Sequence, residues 1–420
     1  MKKILENLQE KNLYRSLTES DSIDSTTIQR GNKKYISFSC NDFLGLSHHK
    51  KIKQAAIKAI EKYGLGARAS RYVTGNNGLY TKLEKAIADF KNCEDAMVFS
   101  SGYAGAIGVI PALVGEGDLI VADKLIHSSL IDGAKLSQAR LMRFLHNDIL
   151  QARNILVENR AKFKKCIIIT ETVFSMDGDL GDIEGLLKLA REFDAILISD
   201  DAHGLWMKGH ERVDGVTNSI QHQSGVTNSI QHRVQHQSSA TRSALELGGV
   251  CNSAYTFMPS NHIQMGTLSK AIGSLGGYVA ADKVTIDYLR NFAKSQIYST
   301  ALPPAVLAAS LAAIKIISKK NLGKKALENA QYFCELMNLP KPLSAIVVII
   351  IGDNKKVLTI AANIKAKGFL VSAIRPPTVE VEKSRLRLTF SAEHKKSDIK
   401  KLVEVLRSPR LPRFARNDFG

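Results

Sequence analysis

The sequence predicts an α/β protein: a large domain built on a mainly parallel sheet, then a smaller α/β domain towards the C-terminus. Apolar runs of strand length alternate with helix-period segments from about residue 50 to 300. The runs are continuous rather than alternating, as expected of strands covered on both faces. After Pro303-Pro304 the texture changes to a long helix followed by a few separated strands. With 420 residues, 44% of them hydrophobic, the chain has enough apolar surface for two such cores.

In chain order, residues 1–48 read as an N-terminal arm and 49–304 as the large domain. Helical periodicity marks 51–63, 79–90 and 183–193; strand runs occupy 96–100, 119–123, 166–171, 195–201 and 278–281, with a short strand-like segment at 262–266. Strand, helix, strand with short polar connections implies parallel pairing, which places ligands at the carboxyl ends of the strands. The smaller domain covers 305–406, with a helix at 305–318 and strands at 345–351 and 386–390.

Two segments stand outside this pattern. GVTNSIQHQS begins at Gly215 and starts again at Gly225, and a fragment of its end recurs at Val234. This polar stretch lacks an apolar period and should form no core, so an insertion is expected at about 213–260. The 407–420 tail, with Arg410, Arg413 and Arg416 among prolines, is a second segment not expected to pack.

Composition excludes several classes. There is no run of eighteen apolar residues, and the N-terminus has no apolar stretch with a small-residue cleavage site. Five scattered cysteines form neither a disulfide framework nor a zinc pattern. A soluble, cytoplasmic protein without membrane or nucleic-acid partners is the reading. The net charge of +18 allows a polyanion binder, but the lysines lie along helix faces such as 50–53 and 319–325.

Chemistry concentrates at strand ends. In Thr267-Leu268-Ser269-Lys270-Ala271 a lysine stands among small residues. Burying an ammonium is costly unless it pairs or reacts, and a desolvated, neutral lysine condenses with an aldehyde. Asp200-Asp201-Ala202-His203-Gly204 follows the strongest strand. Pyridoxal phosphate needs a carboxylate at its pyridine nitrogen, and Asp200 suits that role. His203 is placed to donate to the phenolic oxygen. An Asp-Asp-x-His run is also compatible with a metal site, but no further ligand stands at helpful spacing. Ser100-Ser101-Gly102-Tyr103-Ala104-Gly105 opens a helix after a strand, exposing backbone N–H groups to a phosphate that Thr267 can also reach. His127 follows another strand and could stack on a ring. Glu171 and Ser175, in the Glu171–Asp179 run, suit either a substrate-facing loop or a capped turn.

These motifs together resemble the α-oxoamine synthases, fold-type I pyridoxal-phosphate enzymes with an aspartate aminotransferase-like fold. The order SGY, HSS, ETVFSMDGD, DDAHG and TLSKA carries the resemblance, as do NDFLGL from Asn41, GLGARASR from Gly64 and YSTALPP from Tyr298. It covers roughly residues 35–406, outside the repeat. The run Ala373-Ile374-Arg375-Pro376-Pro377-Thr378-Val379 and the later Arg385-Leu386-Arg387-Leu388 are most similar to the branch that condenses L-alanine with a pimeloyl thioester in biotin biosynthesis.

The resemblance implies pyridoxal 5′-phosphate on Lys270, Asp200 at the pyridine nitrogen, His203 at the phenolic oxygen and His127 stacked on the ring. Gly102, Tyr103 and Thr267 would hold the phosphate, with Ser175 among the cofactor contacts and Thr300 arriving from a partner subunit of a homodimer. Arg387 would clamp the amino-acid carboxylate, with Asn41 and Arg375 in the same substrate region. It also implies that Lys270 removes the Cα proton. Competing readings are members using other substrates (5-aminolevulinate synthase, glycine C-acetyltransferase, serine palmitoyltransferase) and a non-catalytic homologue inactivated by the insertion. Two departures stand out: the repeat widens the gap between Gly204 and Thr267, and Glu380 replaces the proline common after Thr-Val.

Overall fold

The computed structural model describes residues 1–206 and 260–408; the repeat and residues 409–420 lie outside them. The N-terminal arm carries a short helix and three strands, β1 (Asp21–Ser22), β2 (Thr27–Arg30) and β3 (Lys33–Ser37). The central sheet uses β4 (Asp95–Phe99), β5 (Leu119–Asp123), β6 (Arg140–Phe144), β7 (Cys166–Glu171), β8 (Ile196–Asp200), β9 (His262–Thr267) and β10 (Gly277–Ala281). Their spatial order is β4-β10-β9-β8-β7-β5-β6. Only β10 runs against its neighbours. The C-terminal part adds β11 (Ile346–Gly352), β12 (Phe369–Leu370), β13 (Ser372–Ile374) and β14 (Ser384–Thr389). β11, β14 and β13 form an antiparallel sheet, whereas β12 pairs in parallel with β3.

The continuous apolar runs are buried on both faces, as the sequence predicts. Every residue of β5, β7, β9 and β10 is buried. Alternate side chains feed two layers: Ile167 and Ile169 join Val109, Ile110 and Leu130, while Cys166 and Ile168 join Leu156, Leu186 and Leu187. Helix Pro304–Ile317 packs against helices Lys50–Tyr63 and Gly78–Lys91, uniting the arm and the C-terminal part in one apolar cluster. Strand bounds differ from the sequence reading by a residue or two, within ordinary end fraying. Among the described residues no helix is long and apolar enough to cross a membrane.

One strand of the central sheet escaped the sequence reading. β6 is the sheet edge, with Arg140 and Arg143 exposed, so it lacks the continuous apolar signal of its buried neighbours. The strands of the arm are similarly polar and only partly covered.

A deeply buried ion pair stands at the end of β8. Helix Gly78–Lys91 ends at Asn92 in the left-handed region, turning Lys91 into the core. Lys91 Nζ lies 2.5 Å from Asp201 Oδ2, and each side chain is 1% exposed. Thr172 Oγ1 donates to Asp201 Oδ1 at 2.8 Å, and the Tyr278 hydroxyl stands 3.4 Å from Oδ2. The Asp201 backbone N–H donates to Met265 O at 2.6 Å, tying the end of β8 to β9. Lys91→Met should therefore leave Asp201 buried without its cation and lower unfolding stability by about 3–5 kcal/mol. Urea denaturation measures this; a loss below about 1 kcal/mol would mean that the carboxylate does not depend on the ammonium.

Candidate active site

The carboxyl ends of β7, β8 and β9 bring the predicted residues together. Asp200 is the last residue of β8, buried, with Oδ1 accepting from the Ala202 N–H at 2.9 Å. The chain turns at once through His203 and Gly204. A side chain at Gly204 would strike the Thr172 hydroxyl and Asp201 Oδ1, so the tight turn requires glycine. His203 Nε2 sits 2.6 Å from Lys270 Nζ, and the ring meets Phe43 edge-on at 5.8 Å between centroids. Glu171 ends β7 beside them, fully buried.

Burial sets the protonation of this cluster. It lowers the Lys270 pKa, against the pull of Asp200 and Glu171, and so favours the free amine. His203 is held well below its ordinary value by burial and by Lys270, Arg387 and His127 around it, and is therefore a neutral imidazole. Burial also lowers the His127 pKa, opposed by Asp200. It raises Asp200, which Lys270 and the Ala202 N–H partly offset, and pushes Glu171 well up, reinforced by Asp200. A cation placed against Asp200 would restore its charged form.

The neighbouring turn has the form of a phosphate site. Ser101 caps helix Gly102–Leu113 by accepting from Ala104 N. Gly102 lies against the end of β9: a Cβ there would come 3.5 Å from Thr267 Cβ. Gly277 is crowded by the Ser101 carbonyl and Gly102 N, so β10 approaches this turn as only glycine permits. Thr267 Oγ1 donates to Gly276 O at 2.8 Å and lies 2.6 Å from Ser269 Oγ. Tyr103 points away, half exposed, its hydroxyl donating to Asp132 at 2.7 Å; its backbone N–H is what the turn offers. His127 caps the next helix, Ser128–Ser137, through Nδ1.

On the other side stands β14. Arg385 and Arg387 alternate with buried Leu386 and Leu388, so both guanidinium groups face the loop after β7. Arg387 Nε donates to Ser175 O at 2.6 Å, and its two terminal nitrogens lie 3.3 Å from Asn41 Oδ1. Ser175 itself is buried, and its carbonyl is what holds Arg387. Arg387 is 4% exposed and has no carboxylate partner among the described residues. Burial lowers its pKa to about 10, so it stays charged at neutral pH. Two predicted residues stand apart from this group: Arg375 donates to the Asn12 carbonyl of the arm, and Thr300 pairs with Ser70 at the surface.

These residues fit pyridoxal phosphate. The site offers a desolvated lysine, a buried carboxylate and a helix N-terminus lined by glycine and threonine. Buried polar atoms without protein partners, His203 Nδ1 and Glu171 Oε1, remain beside them. Among the described residues no group of acidic, His and Cys side chains could hold a metal ion. The sequence reading overlooked Phe43, His146, and the pairing of Lys91 with Asp201. Phe43 lies in the NDFLGL motif; the other two gave no local signal because their partners are distant in the chain.

Fold and site together define a fold-type I pyridoxal-phosphate transferase. Residues 33–406 match the model of the aminotransferase class I and II family. A putative 8-amino-7-oxononanoate synthase of Parvibaculum lavamentivorans is 41% identical over 412 residues, 98% of this chain and 97% of that protein. The 8-amino-7-oxononanoate synthase of Beijerinckia indica is 41% identical over 413 residues, 98% and 97% of the two chains. The solved 8-amino-7-oxononanoate synthase of Francisella tularensis superposes with a TM-score of 0.68 at 27% identity, covering 89% of this chain and 96% of that one. Sphingomonas wittichii serine palmitoyltransferase shares the fold, with a TM-score of 0.78 at 23% identity over 92% and 89% of the chains. The chain belongs to the class I and II aminotransferase family, in its 8-amino-7-oxononanoate synthase branch.

Borohydride reduction of the protein with pyridoxal phosphate should fix one phosphopyridoxyl group on Lys270, read by peptide mass spectrometry. Labelling spread over surface lysines, or undiminished labelling of Lys270→Ala, would count against Lys270 as the cofactor lysine.

Proposed function

We propose that this chain condenses L-alanine with a pimeloyl thioester, releasing carbon dioxide and 8-amino-7-oxononanoate in biotin biosynthesis. The observation that carries the reading is Arg387, a buried cation without a carboxylate partner among the described residues, in the same site as a desolvated lysine. Near-full-length identity to the 8-amino-7-oxononanoate synthases supports the choice of substrates.

When bound, pyridoxal phosphate supplies an electron sink for negative charge at the amino-acid α-carbon. Asp200 would hold the pyridine nitrogen as a carboxylate and so favour its proton. Neutral His203 would donate through one ring nitrogen to the phenolic oxygen, and His127 would lie against the ring. Gly102 N–H, Tyr103 N–H and the Thr267 hydroxyl would hold the phosphate at the helix end. Arg387 takes the alanine carboxylate through its two terminal nitrogens, where Asn41 now accepts. Lys270, whose pKa burial lowers against the pull of Asp200 and Glu171, takes the Cα proton on Nζ. Ser175 acts on the substrate side through its grip on Arg387.

We also propose a homodimer. Leu65, Val73 and Tyr298 are exposed apolar side chains near the Ser70–Thr300 pairing, a surface suited to a second copy of the chain. Thr300 would then reach the partner's phosphate site.

Two measurements test these assignments. In cofactor-loaded protein, L-alanine should perturb the visible absorption band at lower concentration than glycine or serine. Arg387→Gln should weaken alanine binding roughly 10- to 100-fold, the value of a charge-assisted contact. Equal responses to all three amino acids would redirect the reading to another member of the family. Light scattering should give twice the chain mass; a monomer at assay concentration would remove Thr300 from the site.

A further inference from the structure

The loop after β7 presents the Ser175 carbonyl to Arg387, so whatever fixes that loop fixes the arginine. The loop closes on itself: Val173 pairs with Leu180, Phe174 N donates to Asp179 O at 3.0 Å, and Gly178 N donates to Phe174 O at 2.9 Å. On its C-terminal side it is fastened by Ser344 Oγ, donating to Gly178 O at 2.6 Å, and by Arg385, bonded to Asp177 and to Met176 O at 3.1 Å. On the other side it meets His146 and Asn147, just beyond the edge strand β6.

His146 joins two strand ends. Its Nε2 lies 2.6 Å from Asp179 Oδ2 in the loop. Its Nδ1 lies 3.2 Å from both carboxylate oxygens of Asp123, the last residue of β5, four positions before His127. Asn147 completes the joint, its backbone N–H donating to Asp123 Oδ2 at 2.8 Å and its side chain to Leu180 O at 3.0 Å. The ring stands edge-on to Phe174 at 4.3 Å, which fixes its plane. Both ring nitrogens thus face carboxylate oxygens. A neutral imidazole has one N–H and would set a lone pair against one of the two anions, whereas an imidazolium donates to both.

We infer that His146 is a positioning residue of the amino-acid site: as an imidazolium bridging Asp123 and Asp179, it holds the loop whose Ser175 carbonyl orients Arg387. The inference rests on the role proposed above for Arg387. The electrostatics agree with the geometry. Burial by itself would lower the His146 pKa, but hydrogen bonds to Asp123 and Asp179 and their charges outweigh it and push it up to about 10. Those two carboxylates are the charged groups that face the ring. The bridge therefore stays protonated across neutral pH, unlike an ordinary histidine. Asp179 is 38% exposed and Asp123 1%, so the loop end is the adjustable side of the joint and the β5 end the anchor.

Two readouts on the cofactor-loaded protein test this. Long-range proton–nitrogen NMR of histidine-labelled protein should show one histidine with both ring nitrogens protonated from about pH 6 to pH 9, absent from His146→Gln. A neutral His146 at pH 7 would overturn the inference. By spectral titration, His146→Gln should weaken L-alanine binding about tenfold while pyridoxal phosphate affinity changes less than about twofold. Asp179→Asn, at the exposed side of the bridge, carries the same test if the first variant folds poorly. In it, alanine affinity should fall as pH rises from about 6 to 8.5, where the native protein is flat, because His146 keeps only one anionic partner. Native alanine affinity in both variants would overturn the inference. If Arg387→Gln also leaves alanine binding unchanged, the proposed role of Arg387 fails, whatever the NMR spectrum shows.

Discussion

Two consecutive carboxylates must be buried at the end of one central strand, and the rest of the site depends on how that is achieved. Strand geometry turns Asp200 and Asp201 to opposite sides of β8. Asp201 is satisfied inside the protein by Lys91, Thr172 and Tyr278. Among the described residues the Asp200 carboxylate accepts from the turn that follows it, and burial, which raises its pKa, leaves it to be charged by a cation placed against it. An unpaired Asp201 would raise the cost of ionising Asp200 beside it. The Lys91 pair thus anchors β8 and leaves Asp200 as the carboxylate proposed to meet the cofactor.

A second constraint works from the opposite wall. Arg387 is buried among neutral oxygens, an arrangement that is costly in a folded core unless an anion completes it. The protein holds the guanidinium in place with a backbone carbonyl and an amide oxygen, groups that orient a cation without neutralising it. In the proposed reaction Arg387 would grip an amino acid at its carboxylate and Lys270 would deprotonate it at its α-carbon. Preorganisation of this kind depends on the rigidity of strand ends, and so on the burial of the sheet on both faces.

Much of the site was legible in the chain because its residues occur in short runs at strand ends. Asp200 with His203, Thr267 with Lys270, and Gly102 after its strand each stand within a few positions of a continuous apolar run, and such runs mark a buried parallel sheet. Arg387 was legible only through the family resemblance that the Arg385-Leu386-Arg387-Leu388 run helps to carry. The edge strand β6 was not, because an edge needs no continuous apolar run. His146, which follows it, was therefore passed over although it joins two loops of the site. Lys91 lay at a helix end, where a lysine is ordinarily a solvated cap, and only its partner 110 positions away makes it a core residue.

By itself the sequence determined the α/β class, the parallel core and the family resemblance, and it singled out the candidate lysine and carboxylate of the cofactor site. Each is encoded locally, in hydrophobic period or in a motif of a few residues. Tertiary structure alone decided which charges neutralise one another: Asp201 with Lys91, His146 between Asp123 and Asp179, and Arg387 with no carboxylate among the described residues. Those pairings depend on through-space distances of a few ångströms between segments far apart in the chain. Burial, which sets protonation, exists only once the layers have packed.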